Sequence, residues 1–323
     1  MINSVNSNQN HKVIIDTDPG IDDAMAILLA LNHPNIELLG LTTIFGNLAT
    51  EGATRNAIDL LEHFGAPHIP VAKGADKPLE KTLGAFPDFV HGKNGFGEIT
   101  IPTSALKACD LCAAEFIVEQ VLKYPGQVTI CAIAPLTNLA LALKLEPKIA
   151  QLTKQVVIMG GAVRVNGNVS PVAEANIHND PLAADIVLNA GWPVTLVGLD
   201  VTLKVILDEP FMMQVKNAGV KGELIYNMSR FYDNFYRTAS GYDGFACHDA
   251  TALAYVTNPE LFTCEQGPVR VGTDPDSMFA GMTIFDGRKS GPSTHHWTDK
   301  PKVNVCLDID SDKMKKLLQS YWY

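Results

Sequence analysis

The chain has 323 residues, 46% hydrophobic and 19% charged, a composition that predicts a packed core in one large domain or two smaller ones. A net charge of -10 with no run of Lys or Arg excludes a nucleic-acid or anionic-membrane surface and favours small ligands or metals as partners. No segment reaches transmembrane length, and the polar start "MINSVNSNQNHK" leads into no apolar stretch, so the sequence reads as cytoplasmic, without a secretory signal.

In chain order, residues 1–11 read as a disordered tail and residues 12–323 as one domain. "KVIIDTD" is a short β-branched strand, and "DDAMAILLALNHPN" is a helical pattern stopped near Asn32 and Pro34. "IELLGLTTIFGN" has buried-strand composition and "TRNAIDLLEHFG" is helix-like, closed by Gly65. The unit recurs: "QVTICAIAP" leads into "LTNLALALKLEP", "KQVVIMGGA" follows, and "PLAADIVLNAG" precedes "PVTLVGLDVT". Strands apolar throughout and separated by helices predict an α/β fold, a mainly parallel Rossmann-like open sheet covered on both faces. Ligands of such sheets bind beyond the carboxyl ends of the strands, where the polar clusters of this sequence fall. Lys204 to Asn258 reads as a mostly helical insertion with the aromatic-rich stretch "SRFYDNFYRTASGYDGF". After Thr263 the chain is β-rich ("PVRVG", "GMTIFDG", "KVNVCLDID"), with turns at Gly272, Gly287 and Pro292, and "DKMKKLLQSYWY" closes as a helix.

Six cysteines are scattered. Cys109 and Cys112 form a CxxC, but their segment "KACDLCAAEFIVEQVLKY" has helical periodicity and no second CxxC follows, so buried or half-buried helix cysteines are expected rather than a metal or redox site. "DIDSDK" opens like a calcium-binding EF-hand loop and lacks the Gly and Glu that loop requires, so Asp310 or Ser311 is expected to cap the last helix. "GTDPDS", near Asp274 and Asp276, is a turn by composition.

The unusual feature is "IIDTDPGIDDA", in which Asp16, Asp18, Asp22 and Asp23 crowd a strand end and a helix start. With Pro19-Gly20 supplying the turn, Asp18 and Asp23 can face a common cation. Carboxylates and carbonyls without thiolates suit a hard ion, and Ca²⁺ tolerates irregular oxygen arrangements better than Mg²⁺. The plainer alternative is that Asp22 and Asp23 only favour the helix N-terminus. A haloacid-dehalogenase-type phosphatase would also use a strand-end DxD around Mg²⁺, but Gly20 stands where that class has Thr or Val, and its downstream markers are not evident.

"DTDPGIDDA", "TTIFGN", "HGKNGFGE", "APLTNLALAL", "VVIMGGA", "GNVSPVAEANIHNDPLAA", "CHDATALAY" and "GMTIFDGR" together resemble, in order and over nearly the whole chain from Lys12, the inosine-uridine-preferring nucleoside hydrolase family. The resemblance implies hydrolysis of the N-glycosidic bond of ribonucleosides to ribose and free base, in purine and pyrimidine salvage, by a homodimer or homotetramer. It implies Ca²⁺ held by Asp18, Asp23, the Ile133 carbonyl and Asp249, with Asp16 supporting from behind. Asp18 is the implied general base. Asp22, Asn47, Asn168, Glu174, Asn176 and Asp249 are implied ribose contacts, Asn168 and Glu174 towards the 5′-hydroxyl. His248 is the candidate acid for the leaving base. Tyr232 and Tyr236 sit at spacings similar to those of base-contacting tyrosines, although packing on the core is the other reading of each. His91 lies on a glycine-rich segment resembling a mobile flap, with a solvated loop as the alternative. One departure is Ala175, where the family often has Phe between the Glu and the Asn.

A non-catalytic nucleoside or sugar sensor on the same scaffold, and a hydrolase of a modified ribosylated metabolite, remain as other readings. The tyrosine spacing favours breadth over purines and pyrimidines, with inosine and uridine as first substrates.

Overall fold

The computed structural model describes residues 10–290 and 294–322, so residues 1–9 of the expected tail and the turn at Pro292 lie outside the described residues, whereas His11, expected in that tail, opens the first strand and pairs with Ile36. The first half of the chain runs β1 (His11–Thr17), α1 (Ile21–Asn32), β2 (Ile36–Thr43), α2 (Thr50–His63), β3 (Val71–Lys73), α3 (Asp88–His91), α4 (Ala113–Lys123), β4 (Val128–Ala132), α5 (Thr137–Leu145), α6 (Ile149–Leu152) and β5 (Gln155–Met159). Then come α7 (Ala175–Asn179), α8 (Pro181–Leu188), β6 (Val194–Val197), α9 (Leu199–Thr202), β7 (Ile206–Leu207), α10 (Glu209–Asn217) and α11 (Val220–Ser240). The chain continues through β8 (Phe245–Ala246), α12 (Asp249–Thr257), β9 (Phe262–Gly267), β10 (Val269–Val271), β11 (Thr283–Phe285), β12 (Val303–Ile309) and α13 (Ser311–Trp322).

Eight strands form the central sheet in the order β3-β2-β1-β4-β5-β6-β12-β9. All neighbours are parallel except the edge pair β12 and β9. Apolar runs without polar alternation are the consequence of covering both faces. Val13, Ile15, Cys131, Val157, Met159 and Val197 enter one core cluster, and the intervening Ile14, Ile130, Val156, Ile158 and Leu196 enter the other. The order reverses between β1 and β4, so their carboxyl ends diverge around a crevice, the place where such sheets bind ligands. Residues 18–23 and Ile133 follow those two ends directly.

α1 is buried from Ile21 to Ala30, as a helix apolar on nearly every side must be. It packs against α11, α12 and α13. The closing helix is capped by Asp310, whose carboxylate accepts the Lys313 N–H, and the Asp274 turn forms as expected. α13 is pinned to α1 through Trp322 Nε1–H to the Met25 carbonyl (3.2 Å) and Asn32 Nδ2–H to the Tyr321 carbonyl (2.7 Å).

Two local expectations need correction. "PVTLVGLDVT" is not one strand: β6 ends at Val197 and Leu199–Thr202 turn helical, closed by the Val201 and Thr202 N–H groups donating to the Gly198 carbonyl, while the Asp200 carboxylate ties the turn to the Val163 and Arg164 N–H groups. Cys109 and Cys112 are not helix-interior residues. Cys112 is the exposed N-cap of α4, its N–H donating to Glu115, and half-buried Cys109 lies in the preceding loop.

Trp322 is 2% exposed. Trp322→Ala is expected to cost about 3–5 kcal/mol, read as a lower urea midpoint at unchanged slope. A loss under about 1 kcal/mol would mean that α13 does not brace α1.

Candidate active site

The turn Asp18-Pro19-Gly20 reverses the chain between β1 and α1 and stacks all four aspartates in the interior. Asp23 sits in the first turn of α1 and gathers donors: Thr17 Oγ1–H, the N–H groups of Asp18 (3.2 Å) and Gly20 (3.0 Å), and Asn47 Nδ2–H (3.0 Å). Asp18 Oδ2 accepts the Asn47 N–H at 2.6 Å. Asp16 points to the sheet, accepting from Thr42 Oγ1–H and from Asn138 Nδ2–H at 2.8 Å. Close approach demands glycine at two places. A Cβ at Gly46 would fall 1.8 Å from Asp18 Oδ2, and one at Gly20 2.6 Å from His91 Nδ1.

Asp249, opening α12, meets this cluster from across the crevice. One carboxylate oxygen each from Asp22, Asp23 and Asp249 lie within 4.8 Å of one another. Asp18, rather than Asp22, was the residue that the sequence grouped with the other two. It lies beside them, and its charge raises the pKa of Asp249. Burial, and after it mutual repulsion, pushes Asp18 and Asp249 well above the ordinary carboxylate range and raises Asp23. Burial lifts Asp22 to about 6 and Asp16 to about 7.

A cavity of about 530 Å³ opens over these carboxylates, and among the described residues no Lys or Arg lines it. Three buried aspartate oxygens have no donor: Asp18 Oδ1 and Asp22 Oδ1 in the cluster, and Asp16 Oδ2 behind it. Donor-less carboxylate oxygens, a nearby backbone carbonyl at Ile133 and the absence of thiolates fit a hard divalent cation.

The loop after β5 and the start of α7 form one wall. Asn176 Nδ2–H bridges the carbonyls of Ile133 (3.2 Å) and Met159 (3.1 Å). Asn168 Oδ1 accepts the Ala175 N–H at 3.0 Å. Glu174 also lines the cavity, but it caps α7, and its two oxygens accept the N–H groups of Gly161, Asn176 and Ile177.

The opposite wall is aromatic. Tyr232 and Tyr236, four apart on α11, share a face and both reach the cavity, 2% and 7% exposed, so each also packs in the core. Tyr232 Oη–H donates to Asp22 Oδ2 at 3.3 Å. His248 is clasped at both ring nitrogens, Nε2 by the Tyr236 hydroxyl and Nδ1 by Thr202 Oγ1 at 2.7 Å. Burial drives its pKa down to about 4, so the imidazole is neutral near pH 7. His91 is no solvated loop residue. It ends α3, is 6% exposed, accepts the Ile21 N–H at Nδ1 (3.3 Å), lies 5.3 Å from the Tyr232 ring, and is likewise held to about 4 by burial.

Every residue that the sequence offered for the metal, the sugar, the base or catalysis is therefore in this region. Asp22, Asn47, His91, Ile133, Asn168, Glu174, Asn176, Tyr232, Tyr236, His248 and Asp249 line the cavity, and Asp16, Asp18 and Asp23 lie buried behind it. Sequence reasoning missed Thr17, Thr202, Phe89, Phe235, Val165 and Val169. Phe235 was findable one position before Tyr236, whereas nothing local marks Thr202 as the partner of a histidine 46 positions away.

A family model described as inosine-uridine preferring nucleoside hydrolase matches residues 13–316. The chain is 43% identical over 304 residues to uridine nucleosidase 1 of Arabidopsis thaliana, covering 94% of this chain and 90% of that protein. A solved plant nucleoside hydrolase superposes with a TM-score of 0.94 at 39% identity, covering 97% of this chain and 98% of that one. A purine-preferring ribonucleoside hydrolase from Gardnerella vaginalis does so with a TM-score of 0.90 at 35% identity, covering 96% and 98%.

The raised carboxylates carry a pH signature. Without a cation their folded pKa values, about 7 for Asp16 and about 6 for Asp22, exceed the unfolded value of 3.8, so their stabilising protonation is complete at low pH and is lost as pH rises through those values. His91 and His248, lowered from 6.5 to about 4, act in the opposite sense but only below about pH 6.5, because above it they are neutral in both states. After chelation, the melting temperature is expected to fall as pH rises from about 6 to about 7.5, and added Ca²⁺ to flatten that slope. A slope unchanged by the ion would remove the cation from this site.

Proposed function

The chain belongs to the inosine-uridine preferring nucleoside hydrolase family and hydrolyses ribonucleosides, and we propose that it does so in a Ca²⁺-dependent reaction that feeds purine and pyrimidine salvage. The observation that carries the Ca²⁺ reading is the buried carboxylate cluster, with Asp18 Oδ1 and Asp22 Oδ1 lacking donors, under a cavity that no Lys or Arg lines among the described residues.

Asp18, Asp23, Asp249 and the Ile133 carbonyl would hold the ion. When bound, the cation supplies charge neutralisation and Lewis-acid activation of water. Asp18 Oδ1, free of any protein donor, takes the proton of the attacking water as general base. Asp22 Oδ1, equally free, accepts a ribose hydroxyl. Asn47, Asn168, Asn176 and Glu174 orient the sugar around it, three of the four without adding charge. As positive charge develops at C1′ in an oxocarbenium-like transition state, the carboxylates stabilise it through a dry, fixed field.

The base departs towards the aromatic wall. A neutral His248 is a poor proton source by itself, but hydroxyls contact both of its ring nitrogens, Thr202 at Nδ1 and Tyr236 at Nε2, and in the tautomer protonated at Nε2 the ring donates to Tyr236 Oη and leaves the tyrosine hydroxyl proton for the leaving base. Tyr232, Tyr236 and Phe235 present ring faces and edges rather than a fixed hydrogen-bond code, which supports acceptance of both purine and pyrimidine bases. Relatives named for uridine and for purines are consistent with that breadth.

The test is release of reducing sugar from inosine, adenosine, guanosine, uridine and cytidine by wild type and Asp18→Ala, after chelation and with Ca²⁺ restored. Activity is expected to return to wild type with the ion and to stay down by at least about 10³-fold in the variant. Binding of every nucleoside without release of ribose would sink the hydrolase reading for this panel and leave a nucleoside sensor. Gly46→Ala, whose Cβ would sit 1.8 Å from Asp18 Oδ2, is expected to lower kcat by about 10²-fold while the protein stays folded by circular dichroism.

A further inference from the structure

Away from the cavity, the two outer strands of the sheet carry a thiol pair. Cys264 on β9 is the direct cross-strand partner of Cys306 on β12, and their sulfurs lie 3.1 Å apart. β9 is an edge strand paired only with β12, and Cys264 is half-buried among exposed Thr263, Glu265 and Gln266, within reach of a small solute. Cys306 lies behind it, fully buried, next to a register shift between Cys306 and Asp308 that locally loosens the ladder. We propose that Cys264 and Cys306 form a modification site, a dithiol that exchanges with a low-molecular-weight disulfide such as oxidised glutathione to give a cross-strand disulfide stapling β9 to β12.

Directly paired antiparallel positions bring two Cβ atoms to the edge of the range a disulfide spans, and with the sulfurs already 3.1 Å apart the bond needs only about a further 1 Å of approach, which the register shift beside Cys306 can supply. The order of events follows from exposure. Cys264 gives its proton to solvent, and its thiolate attacks one sulfur of the glutathione disulfide, breaking that S–S bond and releasing one glutathione thiolate. Cys306, whose thiol is pushed up by its hydrogen bond to Cys264 and by burial, then loses its proton and attacks the adjacent Cys264 Sγ, displacing the second glutathione thiolate, so this second step is the slower one. Two protein thiols are oxidised, one glutathione disulfide is reduced, and the two thiolates take up the two protons. Hydrogen bonds to Cys264 from Cys306 and from Asn304 hold its thiol below the usual range, which suits the first attack. The remaining cysteines are poorer candidates. Cys131 and Cys247 are buried with thiols pushed up by desolvation, Cys247 to about 12, and the Cys109 thiol is turned to the Leu111 carbonyl.

The staple closes a loop across 42 positions that includes β10 and β11, and it fixes the strand that follows α12, the helix opened by Asp249. Cross-linking so long a loop restricts the unfolded chain, so the unfolding midpoint rises by several degrees.

The full chain, in a Cys112→Ser background that removes the CxxC, is incubated natively with excess oxidised glutathione at about pH 8, near the thiol pKa, then alkylated and mapped by mass spectrometry. Expected are a mass lower by two hydrogens, a peptide linking Cys264 to Cys306, and a raised melting temperature that reductant reverses. Cys306→Ser, checked for folding by circular dichroism, is expected to stop at a glutathione adduct on Cys264, and Cys264→Ser to take up none at this pair. Glutathione adducts alone without cross-linking, no change in mass, or cross-linking only after denaturation would each overturn the proposal, and the wild-type pair is read directly even if a serine variant fails to fold.

Discussion

The organising constraint is the burial of like-charged carboxylates at the point where the strand order of the sheet reverses. Asp18, Asp22, Asp23 and Asp249 are all less than a tenth exposed, they repel one another, and among the described residues no Lys or Arg lines the cavity above them. Desolvation disfavours each charge and proximity compounds it, so the cluster is stable only protonated or neutralised from outside. The protein solves the geometry of the problem but not its charge. Donors from Thr17, Gly20 and Asn47 hold Asp23 and Asp18 in place, while two oxygens are left unserved, and that incompleteness is what a cation would complete.

Holding repelling groups in register requires stiff elements on every side. α1, which carries Asp22 and Asp23, is buried nearly all round, wedged between the sheet, α11 and α12 and clamped at its far end by α13. β1 is tied on both edges by parallel neighbours. The strain of concentrated charge is thus confined to one end of a helix buried nearly all round, where local opening is costly.

How much of this was legible depended on whether the signal was local. The apolar runs of β1, β4 and β5, and the helices between them, announced a parallel sheet, and the four aspartates of residues 16–23 announced the site. The helical turn at Leu199–Thr202 was hidden because the groups that anchor it, the Val163 and Arg164 N–H donors of the Asp200 carboxylate, lie far back in the sequence. Thr202 as the partner of His248 was hidden for the same reason, and so was the convergence of Asp22 with Asp23 and Asp249, which depends on how α12 meets α1. Burial of His91 could not be read from a glycine-rich segment that looks solvated; it follows from Gly20, whose missing Cβ leaves the space the imidazole fills. Cys264 and Cys306 looked unrelated until β12 returned to pair with β9.

The two ends of the cavity differ in kind, and that difference bears on selectivity. At the carboxylate end, buried polar groups with defined partners face the ligand, so a sugar lacking a hydroxyl would leave an acceptor such as Asp22 Oδ1 desolvated and unpaired, a heavy penalty in a dry site. At the aromatic end, Phe89, Phe235, Tyr232 and Tyr236 form a chain of ring contacts 5.0 to 5.7 Å apart, and Val165 and Val169 add apolar surface. Ring faces discriminate weakly, since every heterocyclic base offers a face to stack and apolar contact grades by area rather than by pattern. On the proposed reading, strictness towards the ribose and tolerance towards the base arise from one division: charge and fixed donors at the carboxyl ends of β1 and β4, and polarisable carbon on α3 and α11. The hydroxyl chain through His248 lies on the tolerant side, and an ordered hydrogen-bond donor that assists any departing nitrogen fits a wall that does not read the base.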